Sequence, residues 1–387
     1  MNHNIESMRP SASMALTARA KELQKQDPGI IGLAGGEPDF DTPYRISMAA
    51  IRSLTEGNTH YSFGPGIPEL REAIAKKLRE EDGIPSVAQR VLVTPGAKNA
   101  IYLAVNALLN AGDEVLLLDP SWVSYEPIVQ SAGGRAVRVK LDYRQNYAIT
   151  RQLLEQAVTE RTRLLILNYP NNPTGRILHP EEADTVEAFL LAHPQVYLLS
   201  DEVYEAITYG DARSISLGGR ASIADRVITV NGFSKSVAMT GWRLGYLHAN
   251  EEIYATAFKL YQHSLSCANS FVQVGAVEAF RCQEEIAAMV RVYRQRRDLF
   301  IGTLNSTRGV HCESPEGAFY AWVFFDVPGM NADEMAEYLM TRARVVGLPG
   351  TAFGEERACC MRFSFANATE DVVTAAKRIK EAIEALG

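Results

Sequence analysis

The chain has 387 residues, is 47% hydrophobic and 22% charged, and carries a formal net charge of -7. That composition belongs to a globular protein too long for one ordinary core, and its acidic balance excludes nucleic acid and anionic membranes as main partners. The five cysteines (Cys267, Cys282, Cys312, Cys359, Cys360) show no CxxC spacing and no companion histidines, so a metal site is not expected among them and reduced thiols are.

Met1–Ser7 lacks an apolar signal core, and no uncharged apolar run is long enough to span a bilayer. A cytoplasmic protein is therefore expected. Further along, short β-rich apolar runs alternate with helix-length amphipathic stretches. Arg90–Thr94, Glu114–Leu118, Arg135–Val139, Arg163–Asn168, Gln195–Ser200, Arg226–Val230 and Arg243–His248 read as strands, with helices such as Ala97–Leu109 and Pro180–Leu191 between them. The alternation predicts an α/β fold with a mostly parallel seven-stranded sheet and helices on both faces. Such sheets bind ligands at the carboxyl ends of their strands. Polar residues gather there: Thr94-Pro95-Gly96, Asp119-Pro120, Asn168-Tyr169-Pro170, Ser200-Asp201-Glu202 and Asn231–Lys235.

The C-terminal stretch reads differently. Glu284–Leu304 looks like a long helix whose basic run, Arg291-Val292-Tyr293-Arg294-Gln295-Arg296-Arg297, is expected to be a solvated face. A strand over Ala318–Asp326, a helix near Ala332–Arg342, a strand near Met361–Phe365 and a helix over Thr369–Ala385 follow. Mixed α and β without regular alternation predicts a smaller α+β domain, onto which the first residues fold back. The expected division is a large domain over 46–284 and a small one made of 1–45 and 285–387.

Four elements carry candidate chemistry. Gly96-Ala97-Lys98 joins a strand to a helix start, where backbone amides suit a phosphate. Asn168-Tyr169-Pro170-Asn171-Asn172-Pro173-Thr174-Gly175 is dense with turn-formers; its prolines fix the backbone around Asn172, although many such turns have no function. Asp201 ends a strand, where a carboxylate either caps a helix or pairs with a pyridinium nitrogen, and Tyr204 lies within reach of a neighbouring ring oxygen. Lys235 stands in a small, hydroxyl-rich turn after an apolar run, with Arg243 beyond it. A partly desolvated lysine loses its proton and attacks carbonyls, and the arginine with the turn amides can hold a phosphate. A surface turn with two cations is the competing reading.

In this order the four elements resemble class I aminotransferases of the fold-type I pyridoxal-phosphate superfamily, closest to the bacterial aspartate/prephenate branch. The likeness runs from Met8-Arg9-Pro10-Ser11-Ala12 through Gly36-Glu37-Pro38-Asp39-Phe40 to Arg362-Phe363-Ser364. It implies pyridoxal 5'-phosphate as cofactor and Lys235 as its Schiff-base lysine and proton shuttle. It implies Asp201 at the pyridine nitrogen, Tyr204 and Asn172 at the phenolic oxygen, and Trp122 stacked on the ring. Gly96, Ala97, Lys98, Ser234 and Arg243 would surround the phosphate. Tyr61 would reach it from a neighbouring subunit, which implies a homodimer with shared sites. Arg362, with Gly36 beside it, would bind the substrate α-carboxylate, and Trp122 and Asn172 would border the substrate. Arg9 would meet a distal carboxylate, favouring aspartate or glutamate in a ping-pong exchange with a 2-oxo acid.

Arginine, aromatic and branched-chain transaminases share that set, as do carbon–sulfur β-lyases, and they stay open as alternatives. A regulator with an added DNA-binding segment is not expected, because the resemblance begins close to Met1. Two residues depart from the pattern. Gly232 replaces a serine or threonine that would give the phosphate a hydroxyl, and Asn106 stands where some aspartate-specific relatives carry lysine.

Overall fold

The computed structural model describes residues 3–6, 8, 10 and 12–386. A parallel sheet covered on both faces needs strands that are apolar throughout, and the inner runs meet that requirement, while the edge strand Arg135–Lys140 alternates charged and apolar residues and is largely exposed. Val91–Thr94 (β1), Glu114–Asp119 (β2), Arg135–Lys140 (β3), Thr162–Asn168 (β4), Tyr197–Asp201 (β5), Val227–Gly232 (β6) and Gly245–His248 (β7) form one sheet in the order β1-β7-β6-β5-β4-β2-β3. β7 runs antiparallel to both neighbours and every other pair is parallel.

Side chains leave a strand on alternate faces, and here they feed two cores. Leu116, Leu165 and Leu198 enter one with Val186 and Phe189 of the helix Pro180–Ala192. Val115, Leu117, Leu164, Ile166 and Leu199 enter the other with Ala100, Ile101 and Ala104 of Ala97–Leu108. Burying each such leucine is worth about 2 kcal/mol relative to exposure.

After the helix Gln283–Asn305, four short antiparallel strands make a second sheet. They are Val310–Cys312 (β8), Tyr320–Phe325 (β9), Leu348–Pro349 (β10) and Cys360–Ser364 (β11), in the order β10-β11-β9-β8. Phe300 and Ile379, from the helices Gln283–Asn305 and Thr369–Glu384, share its core with Phe363. The N-terminal segment joins this region: Ile31–Gly32 pairs in parallel with Val345–Val346, and the Ser364 amide donates to the Leu33 carbonyl at 2.8 Å.

Three expectations need correction. Arg243 is not part of β7; its φ of 53° places it in a left-handed turn before the strand. The helix expected to Arg342 is regular only over Ala332–Tyr338 and then widens into a π turn over Leu339–Ala343. The basic run is not a solvated face throughout. Arg296 is buried and grips both carboxylate oxygens of Asp39 at 2.8 Å, and Arg297 lies over the Tyr209 ring at 4.7 Å. Arg291 and Arg294 stay exposed, because helical periodicity turns Tyr293, Arg296 and Phe300 inward instead. Among the described residues no helix is long and apolar enough to cross a membrane.

Candidate active site

The carboxyl ends of β4, β5 and β6 open into a cavity of about 900 Å³, walled also by the 32–39 segment and by Tyr320 and Arg362 of the second sheet. Lys235, Asp201, Tyr204, Asn172, Trp122, Ala97, Lys98, Ser234, Arg243, Gly36 and Arg362 all line it. Residues far apart in the chain meet there because strand ends and the β9–β11 pair converge on one opening.

Lys235 Nζ donates to the Gly36 carbonyl at 2.5 Å. Burial brings its pKa down to about 8; Glu37 opposes that shift, and Arg243 and Arg362 reinforce it. Asp201 is raised to about 6 by burial, although the Tyr125 hydroxyl donates to its Oδ2 at 2.7 Å. Asn168 fixes the neighbouring turn: its Nδ2 donates to the Asp201 carbonyl and its Oδ1 accepts from the Asn172 amide, both at 2.9 Å. Asn172 Oδ1 in turn accepts from Arg362 Nη1 at 2.7 Å.

Arg362 is buried and its guanidinium is only partly used. Nη2 donates to the Ala34 carbonyl at 2.6 Å, while Nε has no partner. The Tyr320 and Phe353 rings lie 4.3 and 5.0 Å from its guanidinium carbon. Among the described residues no carboxylate pairs with it, and burial lowers its pKa. A buried cation without an anion is costly, so this arrangement is built to receive one.

At the other end of the cavity Gly96 has φ 86°, and a Cβ there would stand 2.7 Å from Arg243 Nη2. Only glycine lets the guanidinium lie against this turn. The first amides of the helix Ala97–Leu108 have no acceptor in their own helix, so they and Arg243 make an anion cradle. Lys98 Nζ lies 4.8 Å over the Trp122 ring, its pKa lowered by burial and by Arg243. Gly232 has a packing reason: it pairs with Gly245, and a Cβ on it would come 3.1 Å from the Gly245 Cα.

Other expectations fall outside the cavity. Gly96 borders it through Arg243 without lining it. Tyr61 is 90% exposed and does not line the cavity of its own chain. Asn106 bonds to the Tyr102 carbonyl of its own helix at 2.8 Å and does not reach the cavity. Arg9 lies outside the described residues.

Three side chains at the site were not anticipated: Glu37 and Tyr320 in the wall, and Tyr125 behind Asp201. Tyr125 lies three residues after Trp122 and Glu37 falls in the Gly36–Phe40 run, so their neighbourhoods were marked although their contacts were not. Nothing local marks Tyr320, which sits in an apolar strand. The set as a whole is short of negative charge, with Lys21, Lys98, Lys235, Arg243 and Arg362 set against Glu37, Asp39 and Asp201, and Asp39 is already held by Arg296. A cradle for a phosphate, a deprotonatable amine, a buried carboxylate and an unsatisfied guanidinium fit a phosphorylated pyridine aldehyde and a carboxylate substrate.

Comparison with known proteins agrees with this chemistry. The family profile "Aminotransferase class I and II" matches residues 28–379. An aspartate aminotransferase of Musicola paradisiaca is 40% identical over 96% of this chain and 94% of its own length. A probable aspartate/prephenate aminotransferase of Aquifex aeolicus is 38% identical over 98% of both. The crystal structure of the aspartate aminotransferase from Rhizobium meliloti superposes with a TM-score of 0.94 at 33% identity, covering 99% of this chain and 98% of that one.

Proposed function

Since the chain belongs to the class I and II aminotransferases and is a pyridoxal-phosphate-dependent transaminase, we propose that it moves the amino group of aspartate to a 2-oxo acid in a ping-pong exchange. The observation that carries this reading is Arg362, a buried guanidinium that lines the same cavity as Lys235 and has no carboxylate partner among the described residues. A planar fork of donors binds a carboxylate better than a point charge does. The names of full-length relatives support aspartate as donor.

In this reading Lys235 would anchor the cofactor's aldehyde carbon, and Gly96, Ala97, Lys98, Ser234 and Arg243 would hold its phosphate. Trp122 would border the ring, Asn172 and Tyr204 would serve its oxygen, and Asp201 its nitrogen. When bound, the cofactor supplies an electron sink for the electrons released at the substrate α-carbon. Asp201 keeps a positive charge at the ring nitrogen, assisted by the Tyr125 bond that fixes its carboxylate. Lys235 would take the proton from the substrate α-carbon and give it to the cofactor's C4′, and a pKa of about 8 suits it to both directions. Arg362 grips the α-carboxylate, with Gly36 leaving room beside it, and Arg9 meets the distal carboxylate. The buried walls keep water from the reacting atoms.

The working unit is a homodimer in which Tyr61 reaches the partner's phosphate site. The exposed aromatics Tyr44, Tyr61 and Phe63 support a covered face there. Residues 46–284 form the large domain and 1–45 with 285–387 the small one. Five unpaired cysteines support a reducing, cytoplasmic setting.

The test mixes purified cofactor-loaded protein with single amino acids and identifies the keto acid formed. Oxaloacetate from aspartate, with pyridoxamine phosphate left on the protein, is expected. Turnover of arginine, aromatic or aliphatic amino acids alone would overturn the substrate. Release of pyruvate and ammonia would make the enzyme a lyase.

A further inference from the structure

The hydroxyl of Tyr320 lies 2.7 Å from that of Tyr204, with both side chains buried. The same ring presents its face to the Arg362 guanidinium at 4.3 Å, and Phe353 flanks that guanidinium at 5.0 Å. Tyr320 also crowds Gly36, since a Cβ on Gly36 would stand 2.5 Å from the Tyr320 hydroxyl oxygen. Gly36 is the residue whose carbonyl holds Lys235. One side chain therefore touches the residue proposed at the cofactor oxygen, the residue proposed at the substrate carboxylate, and the residue against Lys235.

Two hydroxyls in contact share one hydrogen. Tyr204 can aim its own hydrogen into the cavity only if Tyr320 donates to it, and such a chain of donors strengthens the last bond. The aromatic face acts separately, attracting the guanidinium and fixing its plane. We propose that Tyr320 is a positioning residue joining the two halves of the site: its hydroxyl commits Tyr204 to donate to the cofactor's ring oxygen, and its ring holds Arg362 flat for the α-carboxylate. This rests on the function proposed above.

Two variants separate the two contributions. Tyr320→Phe keeps the ring and removes the hydroxyl, while Tyr320→Leu removes both. The readouts are the pH midpoint of the bound cofactor's absorbance and the dissociation constant of succinate, an unreactive dicarboxylate. A donor at the ring oxygen stabilises negative charge there and so favours the deprotonated chromophore. Losing it should raise the midpoint by about half a pH unit to one unit in both variants. Succinate should bind Tyr320→Phe within about twofold of the parent and Tyr320→Leu about tenfold more weakly.

An unmoved midpoint in Tyr320→Phe, or parental succinate binding in Tyr320→Leu, would overturn the proposal. So would a lowered melting temperature with both readouts unchanged. If Tyr320→Leu does not fold, the midpoint of Tyr320→Phe still decides. Unsubstituted protein that takes up no cofactor overturns the parent reading along with this one. Loaded protein that reacts with aspartate while the variants behave like it overturns this inference alone.

Discussion

Asp201 and Glu202 are neighbours in the chain but belong to two buried clusters of opposite character. Asp201 faces the cavity, where cations outnumber carboxylates. Glu202 accepts from the hydroxyls of Ser200 at 2.7 Å and Ser216 at 2.8 Å. Its carboxylate lies within 4.8 Å of those of Asp82 and Glu205. There carboxylates outnumber the one ammonium, Lys77, which bonds to Asp82 at 2.8 Å and to Glu205. Burial would lower the Lys77 pKa, but Glu205 and Asp82 hold it well above its ordinary value. Burial raises Asp82, and raises Glu202 to about 8. Both clusters have displaced pKa values, so displacement alone does not mark a functional site. What separates them is how the missing charge is supplied. Raised carboxyl pKa values lessen the deficit around Glu202, whereas the cavity has room for a ligand and, in Arg362, a cation with no carboxylate partner among the described residues.

That contrast is sharpest for the two buried lysines. Lys235→Ala should reduce kcat by at least ~10³-fold, as loss of a proton-transferring group does. It should leave the melting temperature of the cofactor-free protein unchanged or higher, since the buried amine is a burden there. Lys77→Met should do the reverse. It strands the carboxylates of Asp82 and Glu205, costing roughly 3–5 kcal/mol in denaturant unfolding, while the folded fraction keeps kcat within about threefold. A large loss of turnover without unfolding in Lys77→Met would erase the distinction.

Arg362→Lys tests the cavity's need for an anion. The ammonium cannot reproduce the fork, and KM for aspartate should rise by roughly 30-fold, with circular dichroism unchanged. Glu202→Gln tests the proton-filled side. A folded pKa of about 8 against an ordinary 4.5 means that the folded chain keeps a proton the unfolded chain releases. Stability from this group is therefore complete below about 4.5 and is lost as pH rises through about 8. The glutamine variant should lose less stability over that window and be the more stable protein at its upper end. The smallest effect concerns Lys235 itself. Uptake of pyridoxal phosphate by cofactor-free protein should quicken as pH passes through about 8, where the amine becomes free.

The sheet was legible because its inner strands are buried on both faces and are therefore continuous apolar runs, such as Val115–Leu118. The functional turns were legible because they punctuate those runs at their carboxyl ends. Contacts across the chain were not. Nothing local distinguishes Lys76 from Lys77, yet Lys76 is exposed and Lys77 pairs with Asp82 and Glu205. Arg296 looked like one more surface cation until its helix was seen against Asp39. Tyr320 is indistinguishable from its apolar strand neighbours because its hydroxyl partner, Tyr204, comes from the turn after β5 in the other sheet. Periodicity tells which side of an element is buried, but not what it is buried against.

The central claim is that the cavity holding Lys235 is where the cofactor is captured. Borohydride reduction of the loaded protein, followed by peptide mapping, tests it directly. The account predicts the reduced cofactor on Lys235 alone; a label on Lys98 or Lys21, which line the same cavity, or no label at all, would contradict it.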